Sequence, residues 1–344
     1  MKGNKTTVNI IYASNDGYAP HLGASLYSLL DHNRQLPLLD IYILSVGMSK
    51  EPQQKLRSIA ERFSRRLFVV ELGNLAERFP YEINTRGFDI SAMARLFAPQ
   101  VLPKSVKRCL YLDCDTIVCG DIGELYHTEL GSCLTAMVME PTVYSEMKEA
   151  IGMKKDDAYF NSGVILMDLE GWRRGQLLQK MLEFYGNHAG SLFACDQDTI
   201  NGTLKGRILS LPPKYNFFTN YRYFHYYTLL GLCGAYEQVG KAAFGEAKRS
   251  PVIIHYLGDE RPWIAGNHNH YKGLYQWYLR QTPWKGMALQ EGKRLYMQLW
   301  WVFNKISWLC PPFRLMVSRK MGMKVIDRRQ QKKAAEISGL RKKR

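Results

Sequence analysis

No two of the seven cysteines form a C-x-x-C, and their odd number and wide spacing (109, 114, 119, 133, 195, 233 and 310) give no disulfide framework. The same spacing offers no zinc knuckle, which leaves free thiols of a reducing compartment as the reading. An apolar run of the ~20 residues needed to span a bilayer is missing too. The start, MKGNKTTVNIIYAS, lacks the apolar stretch and small-residue cleavage site of a secretory signal. Residues 8–13 therefore read as a first strand and the protein as cytosolic. There are no internal repeats and no low-complexity linkers. Acidic residues are scarce in one place: residues 285–344 hold three Asp/Glu against sixteen Lys/Arg. Most of the formal net charge of +16 lies there. The basicity thus belongs to a tail, and the body shows none of the aromatic–basic interleaving of a nucleic-acid binder.

What the chain does have is a large supply of core residues: 46% hydrophobic and 12% aromatic over 344 positions. Strand-like and helix-like periodicities alternate along it. Strands are expected at 8–13, 39–45, 67–71, 109–112, 134–139, within 159–169, and at 252–256; helices at 22–30, 50–63, 172–185 and 197–204. Alternation with short loops predicts an α/β fold, a mostly parallel central sheet flanked by helices. Ligands bind at the carboxyl ends of strands in such sheets. The style changes after Trp284, so residues 1–284 read as the catalytic body and 285–344 as a basic, amphipathic helical tail.

The stretch 109–120, CLYLDCDTIVCG, carries the most chemistry. An apolar strand ends in two acids, Asp113 and Asp115. Side chains at i and i+2 of a strand share a face, which would set the carboxylates side by side. Such a pair repels unless a cation lies between, and a divalent metal that shares its other positions with phosphate would serve. A solvated strand end is the alternative, because a D-x-D triplet arises by chance about once in a chain of this length. Asp196-Gln197-Asp198 is a second such triplet.

Four features occur in order: the Ser14-Asn15-Asp16-Gly17-Tyr18 turn, the Asp113/Asp115 pair, YFNSGVILMDLEGW at 159–172, and IHYLGDERPW at 254–263. Together they resemble the bacterial family 8 glycosyltransferases, retaining enzymes of GT-A fold that include lipopolysaccharide galactosyl- and glucosyltransferases. The resemblance spans residues 8–280 and implies a role for each matching position. Asp113 and Asp115 look like the metal-binding D-x-D, with His255 as third ligand of Mn²⁺ or Mg²⁺; an imidazole beside two carboxylates favours Mn²⁺. Taken alone, His255 would read as a satisfied core histidine. Asn15 and Asp16 correspond to the loop contacting uracil and ribose, which implies UDP, and Ala13, Tyr18 and Cys114 join that nucleotide-sugar surface. Arg95 matches an arginine near the donor sugar and phosphates. Asn161, with Asp196 and Gln197, matches residues lining the sugar and its reacting carbon, and the last two are the expected catalytic positions. Gly258 would let the backbone approach the diphosphate. Arg261 stands where relatives often carry lysine, and it keeps the charge while gripping phosphate bidentately. Asn15 stands where relatives often carry an acid.

The implied activity is transfer of galactose or glucose from UDP-galactose or UDP-glucose to a cell-envelope glycan or glycolipid. Gln197 is a poor nucleophile, which fits a front-face mechanism. The acceptor is expected against the 140–160 loop, with Glu140 and Tyr144 in contact. Residues 295–309 (LYMQLWWVFNKISWL) place Leu295, Leu299, Val302, Phe303 and Ile306 on one helical face, followed by basic clusters ending in RKKR. That combination suits an anionic membrane surface and predicts peripheral attachment to the inner face of the cell membrane; a helix packed on the body is the other reading. A haloacid-dehalogenase-type phosphatase would need D-x-D-x-T near the N-terminus, whereas Thr116 follows Asp115 directly. A metal-dependent nucleotidyltransferase leaves Asn161, Asp196, Gln197 and His255 without work. An inactive membrane- or RNA-binding module would show itself by steep salt dependence. His268 and His270, in a Gly/Asn segment, read as loop.

Overall fold

Strand β1 (Val8–Ser14) and strand β2 (Leu39–Ser45) are buried at every position. Continuous apolar runs of this kind belong to parallel strands covered by helices on both faces. The helix Ala19–His32 connects them, and Lys50–Arg62 leads on to β3 (Arg66–Glu71). This second helix buries Leu56, Ile59 and Ala60, the face its periodicity predicts. Each fully buried side chain of Leu or Ile size contributes roughly 1.5–3 kcal/mol.

The computed structural model describes residues 7–317 and scattered positions from 320 to 332. The RKKR end of the basic tail lies outside the described residues. The remaining strands are β4 (Arg108–Leu112), β5 (Thr116–Val118), β6 (Thr135–Met139), β7 (Phe160–Asp168), β8 (Ile208–Leu211), β9 (Phe217–Phe218) and β10 (Ile253–His255). Among the described residues they form a seven-stranded sheet, order β3-β2-β1-β4-β7-β6-β8, and a small sheet, order β5-β10-β9. In the large sheet β7 alone runs against its neighbours. The fold is thus the mostly parallel α/β arrangement that the sequence predicts.

Register decides which loops meet. Ile11 pairs with Tyr111 in the parallel β1–β4 ladder, so Ser14 and Asp113 leave the sheet at the same edge. Leu112 pairs with Val164 on antiparallel β7, and the Asp113 amide donates to Gly163 O (2.8 Å), which brings residues 161–163 there too.

Two expectations need correction. Asp113 and Asp115 do not lie on a strand face, because β4 ends at Leu112 and the pair occupies the turn into β5. The helix expected over 172–185 is two helices, Leu169–Arg174 and Leu177–Asn187. Gly175 caps the first, and Gln176 turns left-handed (φ 50°) before the second. This break lets both Trp172 and Leu177 reach the core, where each is buried.

The helix Arg294–Leu309 inverts the usual polarity. It turns Met297, Asn304 and Ser307 inward and leaves Leu295, Leu299, Val302, Ile306 and Leu309 exposed. One face of this helix thus packs on the body, as the second reading of the segment expects, and the apolar face is open. No helix among the described residues is long and apolar enough to cross a membrane.

His21 is sealed between Trp263, stacked with ring centroids 3.7 Å apart, and the Tyr275 hydroxyl 2.5 Å from Nδ1. Burial drives its pKa down to about 3. Below the ordinary histidine value of about 6.5 the unfolded chain takes up a proton that the native state refuses, so His21 favours folding less as pH falls. The stability gap between wild type and His21→Phe should narrow between pH 7 and pH 4 in denaturant titrations. A gap independent of pH would contradict a neutral His21.

Candidate functional site

The turn 113–115 sits between β4 and β5, and β5 pairs antiparallel with β10, His255 opposite Thr116. The Tyr256 amide extends that ladder by donating to Asp115 O (2.9 Å). This pairing places His255 Nε2 3.2 Å from Asp115 Oδ1 and 3.8 Å from Asp113 Oδ2. One ligand atom from each of the three residues falls within 4.8 Å of the others. Two carboxylates and an imidazole converging this closely fit a divalent cation.

The imidazole is oriented from behind. His255 Nδ1–H donates to Asn216 Oδ1 (2.9 Å), which leaves Nε2 facing the acids. This is the outer-shell hydrogen bond that fixes a ligating histidine. Burial opposes a charged His255, but the Asp115 and Asp113 carboxylates outweigh it and hold its pKa up. Burial likewise opposes charge on Asp115, and His255, with help from Arg261, brings it down to about 2.

Arg95, 3% exposed, clamps the other side. It donates to Asp113 Oδ1 (2.7 Å) and to the Ser162 carbonyl, lies 3.2 Å from Asp196 Oδ2, and stacks 4.3 Å above the Tyr111 ring. Burial alone would lower its pKa, yet Asp113 and Asp196 hold it high. The Tyr111 hydroxyl adds a bond to Asp113 Oδ1 (2.8 Å). Arg261 Nη2 approaches Asp115 Oδ2 at 3.8 Å, while its Nε is buried without an acceptor among the described residues. A guanidinium with donor capacity to spare beside a cation site suits a phosphate.

Asn161 links the acid–imidazole cluster to the residues expected to line the sugar. Its Oδ1 accepts from Asn216 Nδ2 (2.8 Å) and the Gly163 amide (2.9 Å); its Nδ2 donates to Gln197 Oε1 (3.0 Å) and Glu140 Oε2 (2.9 Å). Gln197 also accepts from the Ser162 amide (3.0 Å) and donates to Glu140 Oε2 (3.1 Å) and Tyr159 OH (3.3 Å). Its amide thus has two acceptances and two donations, its full capacity. Glu140, expected near the acceptor, is a partly buried partner of Asn161 and Gln197, and desolvation raises its pKa. Cys195 opens the helix Cys195–Thr203 with φ 43°, a strained value for a residue with a side chain. From there Asp196 reaches Arg95 and Gln197 reaches Asn161.

The positions expected to meet the nucleotide lie around the acid–imidazole cluster. Cys114 Sγ bonds to Ala13 O (3.2 Å), tying the acid turn to the end of β1. Asn15 donates to Asp89 Oδ2 (2.6 Å) and accepts the Tyr18 amide (3.1 Å). Asp16 Oδ1 takes both the amide (2.8 Å) and the hydroxyl (3.1 Å) of Ser49. Arg261 lies 6.0 Å from the Tyr18 ring. Gly258 has φ +57°, and a Cβ there would meet open space; its conformational freedom is what the turn uses. His268 and His270 lie in an irregular segment, as expected.

Sequence reasoning missed Asn216, Tyr111, Tyr159 and Gly163. Only Gly163 carried a cue, a glycine inside a strand. A Cβ on Gly163 would lie 2.2 Å from His255 Cε1 and 2.6 Å from Nδ1, so the strand must be bare where the imidazole crosses it. Gly163→Ala should push the ring off its line and weaken Mn²⁺ binding about 10–100-fold, the usual effect of disturbing a ligand's support. Calorimetric titration of the folded variant checks this, and wild-type affinity would remove His255 from the ligand set.

Residues 9–266 match the family described as Glycosyl transferase family 8. Among curated proteins, the chain is 26% identical over 280 residues to general stress protein A of Bacillus subtilis, covering 80% of this chain and 94% of that one. It is 29% identical over 293 residues to a lipopolysaccharide 1,2-glucosyltransferase of Escherichia coli, covering 84% and 82%. Among solved structures it resembles galactosyltransferase LgtC, crystallised with donor and acceptor sugar analogs, at a TM-score of 0.68 and 21% identity over 80% of this chain and 96% of LgtC. The architecture is that of the GT-A fold. The chain belongs to glycosyl transferase family 8 and is a glycosyltransferase.

Proposed function

We propose that this protein is a retaining hexosyltransferase that moves galactose or glucose from a UDP-sugar to a cell-envelope glycan or glycolipid. The observation that carries the reading is the convergence of Asp113, Asp115 and His255 beside Arg261. Its similarity to a lipopolysaccharide 1,2-glucosyltransferase supports an envelope acceptor.

Bound at these three residues, Mn²⁺ or Mg²⁺ would offset charge on the diphosphate as the sugar–phosphate bond breaks. The side chains do the rest. Arg261 donates to the departing diphosphate, where charge develops and electrostatic stabilisation is strongest. Asn15, Asp16, Tyr18, Ala13 and Cys114 form the rim that receives uridine. Asn161 and Gln197, locked to one another and to Glu140, shape the wall beside the reacting carbon. Asp196 is held by Arg95, and the Gln197 amide is fully engaged. The fully engaged Gln197 amide is a poor nucleophile, which supports attack by the acceptor hydroxyl on the face that UDP leaves.

With Mn²⁺, the purified protein should slowly release UDP from one of UDP-glucose or UDP-galactose, and Asp115→Ala should abolish it. Absence of hydrolysis with either donor, together with no UDP-dependent rise in melting temperature, would refute the reading.

The exposed Leu295, Leu299, Val302, Ile306 and Leu309, next to a segment rich in Lys and Arg, support peripheral attachment to an anionic leaflet. Such side chains contribute about 1.5–3 kcal/mol each when fully buried, so Leu299→Ser with Ile306→Ser should weaken binding to anionic vesicles about tenfold or more. Equal sedimentation of variant and wild type would place the contact elsewhere.

A further inference from the structure

Glu260 is 3% exposed, and its carboxylate is held by neutral donors. Trp300 Nε1–H donates to Oε1 at 2.7 Å, and Asn304 Nδ2 to the same oxygen at 3.2 Å. Asn269 Nδ2 donates to Oε2 (3.2 Å) and to the Glu260 carbonyl (2.7 Å). Trp300 and Asn304 stand four residues apart on the inner face of the helix Arg294–Leu309. Behind them Arg314, 6% exposed, donates to Asn304 Oδ1 and to Ser307 Oγ (3.0 Å), its guanidinium 4.2 Å above the Phe224 ring. The neighbouring residue is held as well. Tyr296 OH donates to Asp259 Oδ2 (2.9 Å), and Asn267 Nδ2 joins Asp259 O (2.8 Å) to Met297 Sδ (3.6 Å).

The bonds from Trp300, Asn304, Asn269, Tyr296 and Asn267 converge on a single short turn, Gly258–Glu260, and the next residue is Arg261. A helix that merely covered the body would turn its leucines inward. This one turns in a tryptophan N–H, an asparagine and a serine, and leaves its leucines outside. Buried polar networks of this kind are specific in geometry because each unpaired member is costly. They fix a position where an apolar contact would allow sliding.

We infer that the helix Arg294–Leu309 is a working part of the donor site, and that Glu260 is a positioning residue. Through Trp300 and Asn304 it sets the 258–261 turn so that Arg261 can meet the diphosphate. The inference rests on the reading that Arg261 grips that diphosphate. It adds a C-terminal helix and its polar clasp to the residues that decide donor affinity.

The test is calorimetric titration of the full chain with UDP at saturating Mn²⁺, beside Mn²⁺ alone and thermal melting. Trp300→Phe, which keeps bulk and removes the N–H, and Glu260→Ala should weaken UDP binding about five- to a hundredfold, the range of a typical coupling between sites. Glu260→Gln keeps an oxygen for Trp300 and should recover most of the loss. Affinity for Mn²⁺ alone should hold, because its ligands are set by the β5–β10 pairing. If Trp300→Phe and Glu260→Ala bind UDP like wild type while Arg261→Ala does not, the inference falls and the diphosphate reading stands. If Arg261→Ala also binds UDP like wild type, both fall. If UDP and Mn²⁺ affinity drop together with melting temperature, Glu260 serves only to hold the fold, and the inference is wrong.

Discussion

Charge compensation at Asp113 and Asp115 is the constraint on which the rest of the site depends. Two carboxylates one residue apart, largely removed from water, repel one another unless cations surround them. The fold supplies two, Arg95 from below and Arg261 at the rim, and sets the His255 imidazole across the small sheet. Each is buried or partly buried, and the desolvation of each cation is offset by the acids it faces. The arrangement is stable as an all-protein network. It also has the shape of a cation site, since the same two acids and the imidazole present atoms toward one point.

From that point one chain of hydrogen bonds runs outward. His255 leads to Asn216, Asn216 to Asn161, and Asn161 to Gln197 and Glu140. The elements involved are β10, the residue before β9, β7, the helix Cys195–Thr203 and the end of β6, which are distant in sequence. Because each amide has both its oxygen and its nitrogen engaged, none can rotate without breaking several bonds. The Asp113–Asp115–His255 cluster and the Asn161–Gln197–Glu140 network are thereby held in fixed relation, which is the preorganisation the proposed transfer site requires. The left-handed Cys195 fits this picture, as strain that the surrounding contacts hold in place.

The C-terminal helix gives the molecule its asymmetry. Its inner side carries polar groups that meet the Gly258–Glu260 turn, while Leu295, Leu299, Val302, Ile306 and Leu309 stay exposed on its outer side. One short element therefore joins the Gly258–Glu260 turn to an open apolar face.

Some of this was legible from residue order alone. Continuous apolar runs determined the strands, because a buried parallel strand can carry little else, and alternation with amphipathic segments determined the α/β class. The ordered motifs around residues 15, 113, 161 and 255 determined the family, because their residue types match a known chemistry. The D-x-D spacing named the right acids by a wrong route: they converge through a turn and a cross-sheet partner, where strand alternation had been expected to align them. The tertiary structure decided what depends on contacts between distant segments. Nothing near Asn216 marks it as the support of His255, since hydrogen bonds across 39 residues leave no local periodicity. Glu140 lies in a loop by sequence, and only the structure bonds it to Asn161 and Gln197. The apolar stripe of residues 295–309 was plain, but which way it faced was not, because periodicity defines a face and only packing chooses its direction.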